Sequence, residues 1–508
     1  MRPALAAALA LSIGGCGDQP EDLTFPHNFQ FGTAIAGFQV DMGCPTIAPD
    51  RCNDPNSDWY VWVTKPELVN DPANQLSGDP PSTMPGFYEL FAGDMDRAKN
   101  ELRSSTLRLS IEWSRLFPTS TVGVDGYDAL KQKAAPDALA YYHALFAALA
   151  QRGLRPLVTL NHYTLPTWIH DPYGCHLNLA TCSPRGWMDS DRTIAEIAKY
   201  AGFCAREFGG EVDLWATENE PFLAVAVAGY FADLGNRSVP PRVSLNGDAV
   251  RTVTRAMIEA HARMYDAVKA NDTVDADGDG KPARVGIVYN LQAAAPSRPD
   301  SALDQQAARN VRYLMNEFYL NAVIKGDLDT MLDGTTVHRD DLAGRMDFLG
   351  INYYARVVVQ GLKDSLFPSF TPLLTFNPLT VQTDYDYPRG IYEVLTFAKS
   401  YGVPLFITET GHEDAEDMGA GAAWIVDTLT WVKRALREGA PVEGYYFWTL
   451  MDNYEWSHGM NVRMGLYGVD KTDPTKARHP RAKMVSAYSR IAEGFQIPAD
   501  LLAQYPAK

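Results

Sequence analysis

Trp215-Ala216-Thr217-Glu218-Asn219-Glu220-Pro221 closes an apolar run that begins at Val212. Val212 and Leu214 alternate with polar neighbours, which is the period of a strand. Pro221 cannot donate to a ladder, so the strand stops there. A residue before proline is pushed toward extended backbone, which is the expectation for Glu220. A carboxylate with an amide beside it at a strand mouth suits acid–base chemistry, and equally suits a strand end that meets water. A second stretch, Pro404-Leu405-Phe406-Ile407-Thr408-Glu409-Thr410-Gly411, is again an apolar run ending on a glutamate, with a glycine close behind. Two buried strands that end in glutamate point to a carboxylate pair facing one pocket.

Working outward, further apolar runs lie at 29–34, 106–111, 155–160, 284–289, 347–352 and 443–449, beside those at 212–217 and 404–409. Helical patterns separate them, as at 134–151, 194–208, 249–270, 302–324 and 422–438. Continuous apolar strands alternating with amphipathic helices imply a parallel sheet covered by helices. Eight such units in one domain fit an α/β fold of the (β/α)8 TIM-barrel type. A doubly wound sheet is the competing architecture, but no G-x-G-x-x-G follows any strand. Barrel sites lie at the C-terminal strand ends. Here those ends carry Gln39, Arg108 with Glu112, His162, Asn219 with Glu220, Asn290, Asn352 with Tyr354, Glu409 and Trp448. The long loops 43–86 and 360–388 are expected at the pocket rim and over its mouth.

The 508 residues are 46% hydrophobic and 21% charged, with a formal net charge of -17. That charge argues against nucleic acid or an anionic membrane surface as partner and suits an uncharged ligand. At the N-terminus, Arg2 precedes an apolar run over 4–13 that is too short to span a membrane. Ile13-Gly14-Gly15-Cys16 resembles a bacterial lipoprotein cleavage box, with residues 1–15 as signal and 16–24 as tether before a domain over 25–508. The expected form is exported and lipid-anchored at Cys16 in the cell envelope; an ordinary secretory signal is the alternative. Cys44 with Cys52 and Cys175 with Cys182 bracket short loops and are candidate disulfides, while Cys204 reads as a small buried hydrophobe. Asp275, Asp277 and Asp279 form the front half of a calcium loop that lacks its closing glutamate, since Gly286 stands there. The other reading is an acidic turn before the fifth strand.

The two glutamate stretches, as W-x-T-x-N-E-P and I-T-E-x-G, resemble the acid/base and nucleophile motifs of glycoside hydrolase family 1, the β-glucosidase family. Further matches run along almost the whole mature chain. The resemblance implies a retaining glycosidase that needs no cofactor, with Glu220 as acid/base and Glu409 as nucleophile. It implies Arg108 and Tyr354 as partners of Glu409, and Asn219 on the sugar 2-hydroxyl. Gln39, His162, Trp448, Glu455 and Trp456 are implied at the hydroxyl-binding end of the sugar site. Three positions depart from the pattern: Thr410 replaces a usual Asn, Tyr163 a usual Trp and Met464 a usual Phe. Asp54-Pro55-Asn56-Ser57-Asp58-Trp59-Tyr60 and Asp452-Asn453-Tyr454-Glu455-Trp456 look most like the archaeal-type β-glycosidases that accept glucosides, galactosides and fucosides. The competing readings are a non-catalytic sugar-binding lipoprotein on a degenerate barrel and a transglycosylase using the same residues.

Overall fold

Eight parallel strands close into a barrel in which each strand pairs with its sequence neighbours, and the first closes on the last. They are β1 Gln30–Ala34, β2 Thr106–Ser110, β3 Arg155–Asn161, β4 Leu214–Asn219, β5 Arg284–Asn290, β6 Phe348–Asn352, β7 Leu405–Thr410 and β8 Val442–Trp448. The computed structural model describes residues 23–231, 238–378 and 381–506. One main helix follows each strand: α1 Phe87–Asp96, α2 Pro136–Gln151, α3 Ser190–Phe208, α4 Gly247–Asn271, α5 Ala302–Arg312, α6 Gly390–Ala398, α7 Ala420–Arg437 and α8 Ala482–Gly494. The (β/α)8 reading therefore holds, with every expected strand placed within two residues of its expected bounds.

The strands form because they are buried on both faces, against the helices outside and against one another's side chains within. α3 shows the matching helical logic. Ile197, Tyr200, Ala201, Cys204, Ala205 and Phe208 recur at helical spacing and all face inward. Cys204 is the one free cysteine among the described residues, and it is buried there. Inside the barrel, Leu157, Leu214, Phe348, Phe406 and Tyr446 pack into a plug. Gly286 makes room for it, since a Cβ there would lie 2.1 Å from the Phe348 carbonyl oxygen and 2.9 Å from its ring. Toward the N-terminal strand ends, the Tyr446 hydroxyl meets Thr106 Oγ1 at 3.0 Å and donates to Gln30 Oε1 at 3.1 Å. The barrel is thus closed at that end and open at the other.

Three features depart from the sequence reading. The helix expected over 302–324 is continuously α-helical only to Arg312, with one further α turn at Phe318–Leu320. It continues through π turns at Tyr313–Glu317 and Asn321–Lys325, each of which inserts a residue and rotates the face that follows. The tether expected to run to 24 ends sooner, because Leu23 is buried and Thr24 pairs with Gln496. The signal 1–15 and Cys16 lie outside the described residues. The calcium loop is not assembled as read either. Asp213, not Asp279, converges with Asp275 and Asp277, the three carboxylates lying within 4.8 Å of one another. Asp275 accepts from the amides of Gly278 and Gly280, Asp277 pairs with Arg155 at 3.5 Å, and Asp279 accepts from the Lys281 amide. It is an acidic turn that largely satisfies itself, as Asx residues in turns do. The two cysteine pairs do form disulfides, Cys44–Cys52 and Cys175–Cys182.

Candidate active site

Both glutamate-bearing strands lose register at their C-terminal ends. β7 slips against β6 between Ile407 and Glu409, and β4 slips against β5 between Ala216 and Asn219. Such irregularities re-aim side chains next to functional sites. In β7 the slip lets consecutive residues reach one cluster. Thr408 donates to Asn352 Oδ1 at 2.8 Å, while the Glu409 carboxylate meets the Arg108 guanidinium.

Arg108, on β2, is fully buried and spends its donors on three strands. Nε reaches Thr159 Oγ1 at 3.1 Å, Nη1 reaches Glu409 Oε1 and the Thr408 carbonyl, and Nη2 reaches Asn219 Oδ1 at 2.7 Å. The Tyr354 hydroxyl donates to the other oxygen of Glu409 at 2.8 Å. Burial pushes the Glu409 pKa up to about 7. The Arg108 charge pulls the other way, and the nearby Glu220 carboxylate adds to the rise. Arg108 does not pair with Glu112, the structural salt bridge that sequence alone also allowed. Glu112 instead accepts from Ser110 at 2.8 Å and from Thr164 at 2.7 Å.

Glu220 departs from its expected extended backbone. It sits at φ 46°, ψ 50°, in the left-handed region. A non-glycine residue there is strained, and it persists only when its surroundings hold it. The main chain is held by a bond from Glu220 N to the Val288 carbonyl at 2.9 Å. The carboxylate is held by Asn352 Nδ2 at 2.7 Å and Asn290 Nδ2 at 3.3 Å on Oε1, and by the Tyr163 hydroxyl at 3.0 Å on Oε2. The proline excludes the right-handed helical alternative, and these contacts choose between the two remaining regions.

Beside the carboxylates lies a polar and aromatic wall. Asn219 Nδ2 donates to His162 Nε2 at 3.2 Å, so His162 carries its proton on Nδ1. Burial, with help from the Arg108 charge, holds the His162 pKa well below the usual histidine range, so the ring is neutral. Gln39 donates through Nε2 to the Tyr454 carbonyl at 3.1 Å and to Glu455 Oε2 at 3.2 Å. Among the described residues, two buried atoms of Gln39 and His162 then lack a protein partner: His162 Nδ1, a donor, and Gln39 Oε1, an acceptor. Buried polar groups are rarely left so, and a hydroxyl-bearing ligand can satisfy both. The His162 ring stacks on Trp448 at 6.0 Å and on Trp456 at 5.9 Å between centroids. Trp456 in turn packs on Trp59 at 4.6 Å, which brings the 43–86 loop to the site. From the other long loop, Phe370 packs on Phe231 at 4.6 Å, just beyond the turn that follows Glu220.

The structure therefore brings together the ten candidate catalytic and sugar-binding residues: Gln39, Arg108, His162, Asn219, Glu220, Tyr354, Glu409, Trp448, Glu455 and Trp456. Thr410, whose presence raised a question about Glu409, takes no part in that cluster. It faces α7 and accepts from Trp424 Nε1 at 3.0 Å. Met464 packs against the apolar cluster that includes Trp448. Asn290, Asn352 and Tyr163, which hold Glu220, were absent from the predicted set. The first two stood at strand ends, and Tyr163 stood out as a departure from the motif.

A barrel with two buried glutamates and a hydroxyl-binding wall at its open end is the architecture of a barrel glycosidase. The family model described as "Glycosyl hydrolase family 1" matches residues 21–493, and the chain belongs to that family. It is 36% identical to a β-galactosidase of Pyrococcus woesei, over 92% of this chain and 96% of that one. A β-galactosidase of Saccharolobus solfataricus is 33% identical over 88% of this chain and 91% of its own. Among solved structures, the β-glycosidase of the hyperthermophile Thermosphaera aggregans superposes with a TM-score of 0.80 at 29% identity, covering 96% of this chain and all of that one.

Proposed function

We propose that this chain is a retaining β-glycosidase that removes terminal non-reducing β-D-glucosyl and β-D-galactosyl residues by double displacement, with β-D-fucosides as further substrates. The observation that carries the reading is the unlike support of the two glutamates. Glu409 faces a permanent cation and a tyrosine hydroxyl, which suits a nucleophile that must be ionised. Glu220 faces amides and a hydroxyl, with no cation in contact among the described residues, which suits a group that must both give and take a proton. The family resemblance assigns Asn219 to the sugar 2-hydroxyl, and Gln39, His162, Trp448, Glu455 and Trp456 to the outer hydroxyls and the ring faces. The glucoside and galactoside assignment rests on the family and on the names of the relatives. We further propose export and lipid anchoring at Cys16. Two disulfides in the folded domain support an oxidising compartment.

The test separates the two carboxylates. Glu409→Ala abolishes turnover, and azide then yields the α-glycosyl azide by direct attack. Glu220→Ala still reacts with dinitrophenyl glycosides but stalls at deglycosylation, and azide restores turnover with β-glycosyl azide as product. The loss for the acid/base role is about 10²–10⁴-fold. Glu218 is the control. It is buried on the far side of β4, accepting from the Tyr319 hydroxyl at 2.8 Å, and Glu218→Gln leaves turnover within a few-fold. Azide rescue of Glu218→Gln, or none with Glu220→Ala, overturns the assignment.

A further inference from the structure

We propose that Glu220 carries its transferable proton on Oε2, and that Tyr163 is the positioning residue that fixes it there and sets the pH above which the acid form is lost. The inference deepens the glycosidase reading and rests on it.

The Arg108 guanidinium can only donate hydrogen bonds. Arg108 Nη2 donates to Asn219 Oδ1, so the orientation of that amide is settled. Asn352 also meets Asn219 Oδ1, at 3.2 Å, and must therefore present its NH2 end. The same Nδ2 lies 2.7 Å from Glu220 Oε1. The guanidinium thus dictates, through two amides, that Oε1 faces a donor. A proton on Oε1 would meet another proton. The carboxylic acid is left with Oε2.

Among the described residues, the hydrogen-bonding partner of Oε2 is the Tyr163 hydroxyl, at 3.0 Å. A hydroxyl, unlike an amide NH2, reverses. It donates to Oε2 when Glu220 is ionised and accepts from it when Glu220 is protonated. Asn219 Nδ2 donates to the same hydroxyl oxygen at 3.1 Å, so Tyr163 is tied to the Arg108-dictated network from the other side. The geometry is held at a cost: Tyr163 has φ 72°, a left-handed backbone that an aromatic residue rarely adopts. Its ring is wedged between His162 at 4.9 Å and Trp456 at 4.8 Å.

Other titratable groups feel Glu220. Glu409 comes from β7, Tyr354 follows β6, and Tyr289 lies on β5. None of these bonds Oε2. When a glycoside binds, its bridging oxygen takes the place of the hydroxyl as acceptor for the Oε2 proton. As the C–O bond breaks, that proton passes to the leaving alcohol and Glu409 forms the new bond to carbon. Tyr163 then turns to donate to the carboxylate left behind, which later takes a proton from water.

Removing this hydroxyl takes a hydrogen bond from both forms of Glu220, but it costs the ionised form more, because a hydrogen bond to a charged group is the stronger of the two. The experiment is the pH profile of kcat/KM for an alkyl β-glycoside, whose poor leaving group needs the acid, in wild type and Tyr163→Phe. The expected result is an alkaline limb displaced upward by about one pH unit, a tenfold change in the ionisation constant, with the acid limb in place. An active wild type with an unmoved alkaline limb in Tyr163→Phe overturns the proposal and leaves the glycosidase reading standing. A wild type inactive on every β-glycoside overturns both. Should Tyr163→Phe fail to fold, 3-fluorotyrosine at position 163 keeps the shape and strengthens the donor. It moves the limb downward, and an unmoved limb there overturns the proposal as well.

Discussion

Arg108→Gln tests the electrostatic logic of the site most directly. The guanidinium is sealed from solvent and bonds Glu409, Asn219 and Thr159 at once. Burial already pushes Glu409 to about 7 with that charge in place, so roughly half of it is ionised at neutral pH. A hydrogen bond to a charged group is worth about 1.5–3 kcal/mol, so losing it raises the Glu409 pKa by a further one to two units. The ionised fraction at pH 7 then falls to somewhere between about a tenth and about a hundredth, and kcat/KM with it. A 2,4-dinitrophenyl β-glucoside needs no acid, so its profile from about pH 5 to about pH 10 shows the Glu409 limb alone. The expected outcome is a limb displaced upward, with most of the lost rate regained in alkali. Arg108→Lys keeps the charge but cannot span Glu409 and Asn219 together, so its limb moves less while its rate still falls. A loss equal at every pH, with the limb unmoved, would refute this account and make Arg108 a packing residue.

Burial also pushes Glu112 up to about 7, against its bonds from Thr164 and Ser110. The folded chain therefore holds that proton more tightly than the unfolded chain does. Its stabilising effect is complete below the usual carboxyl range and is lost as pH rises through about 7. Glu112→Gln should flatten the fall in unfolding free energy across that window by ~3 kcal/mol, read by denaturant titration at several pH values; an unchanged slope contradicts it. Lipid anchoring predicts that wild-type protein from its native host partitions into detergent with an acylated Cys16, and that Cys16→Ala releases it. A soluble, unmodified wild type would exclude the anchor.

The strands were legible because burial on both faces leaves continuous apolar runs, and the two glutamates because each run stops on one. What was not legible depends on neighbours distant in sequence. Pro221 announces that Glu220 leaves the right-handed helical region, but the choice of left-handed over extended is made by Asn290, Asn352, Tyr163 and the Val288 carbonyl. Arg108 stands four residues before Glu112, and only the closed barrel shows that it turns instead toward a strand some 300 residues away. The pattern over 302–324 stays apolar through its π turns, because they shift the buried face without interrupting it. Asp213 stands so far from the acidic turn that no spacing rule could have joined it to Asp275 and Asp277.

The plug of Phe348, Phe406, Tyr446, Leu157 and Leu214 makes the site a room with one door. Whatever enters toward the floor leaves by the way it came, so a saccharide is read from its tip and cannot be threaded past the carboxylates. The departing aglycone and the water that completes the reaction share that doorway, one outbound and the other inbound. An alcohol lingering there competes with water for the same glycosyl group, so the split between hydrolysis and transfer becomes a question of traffic at the threshold.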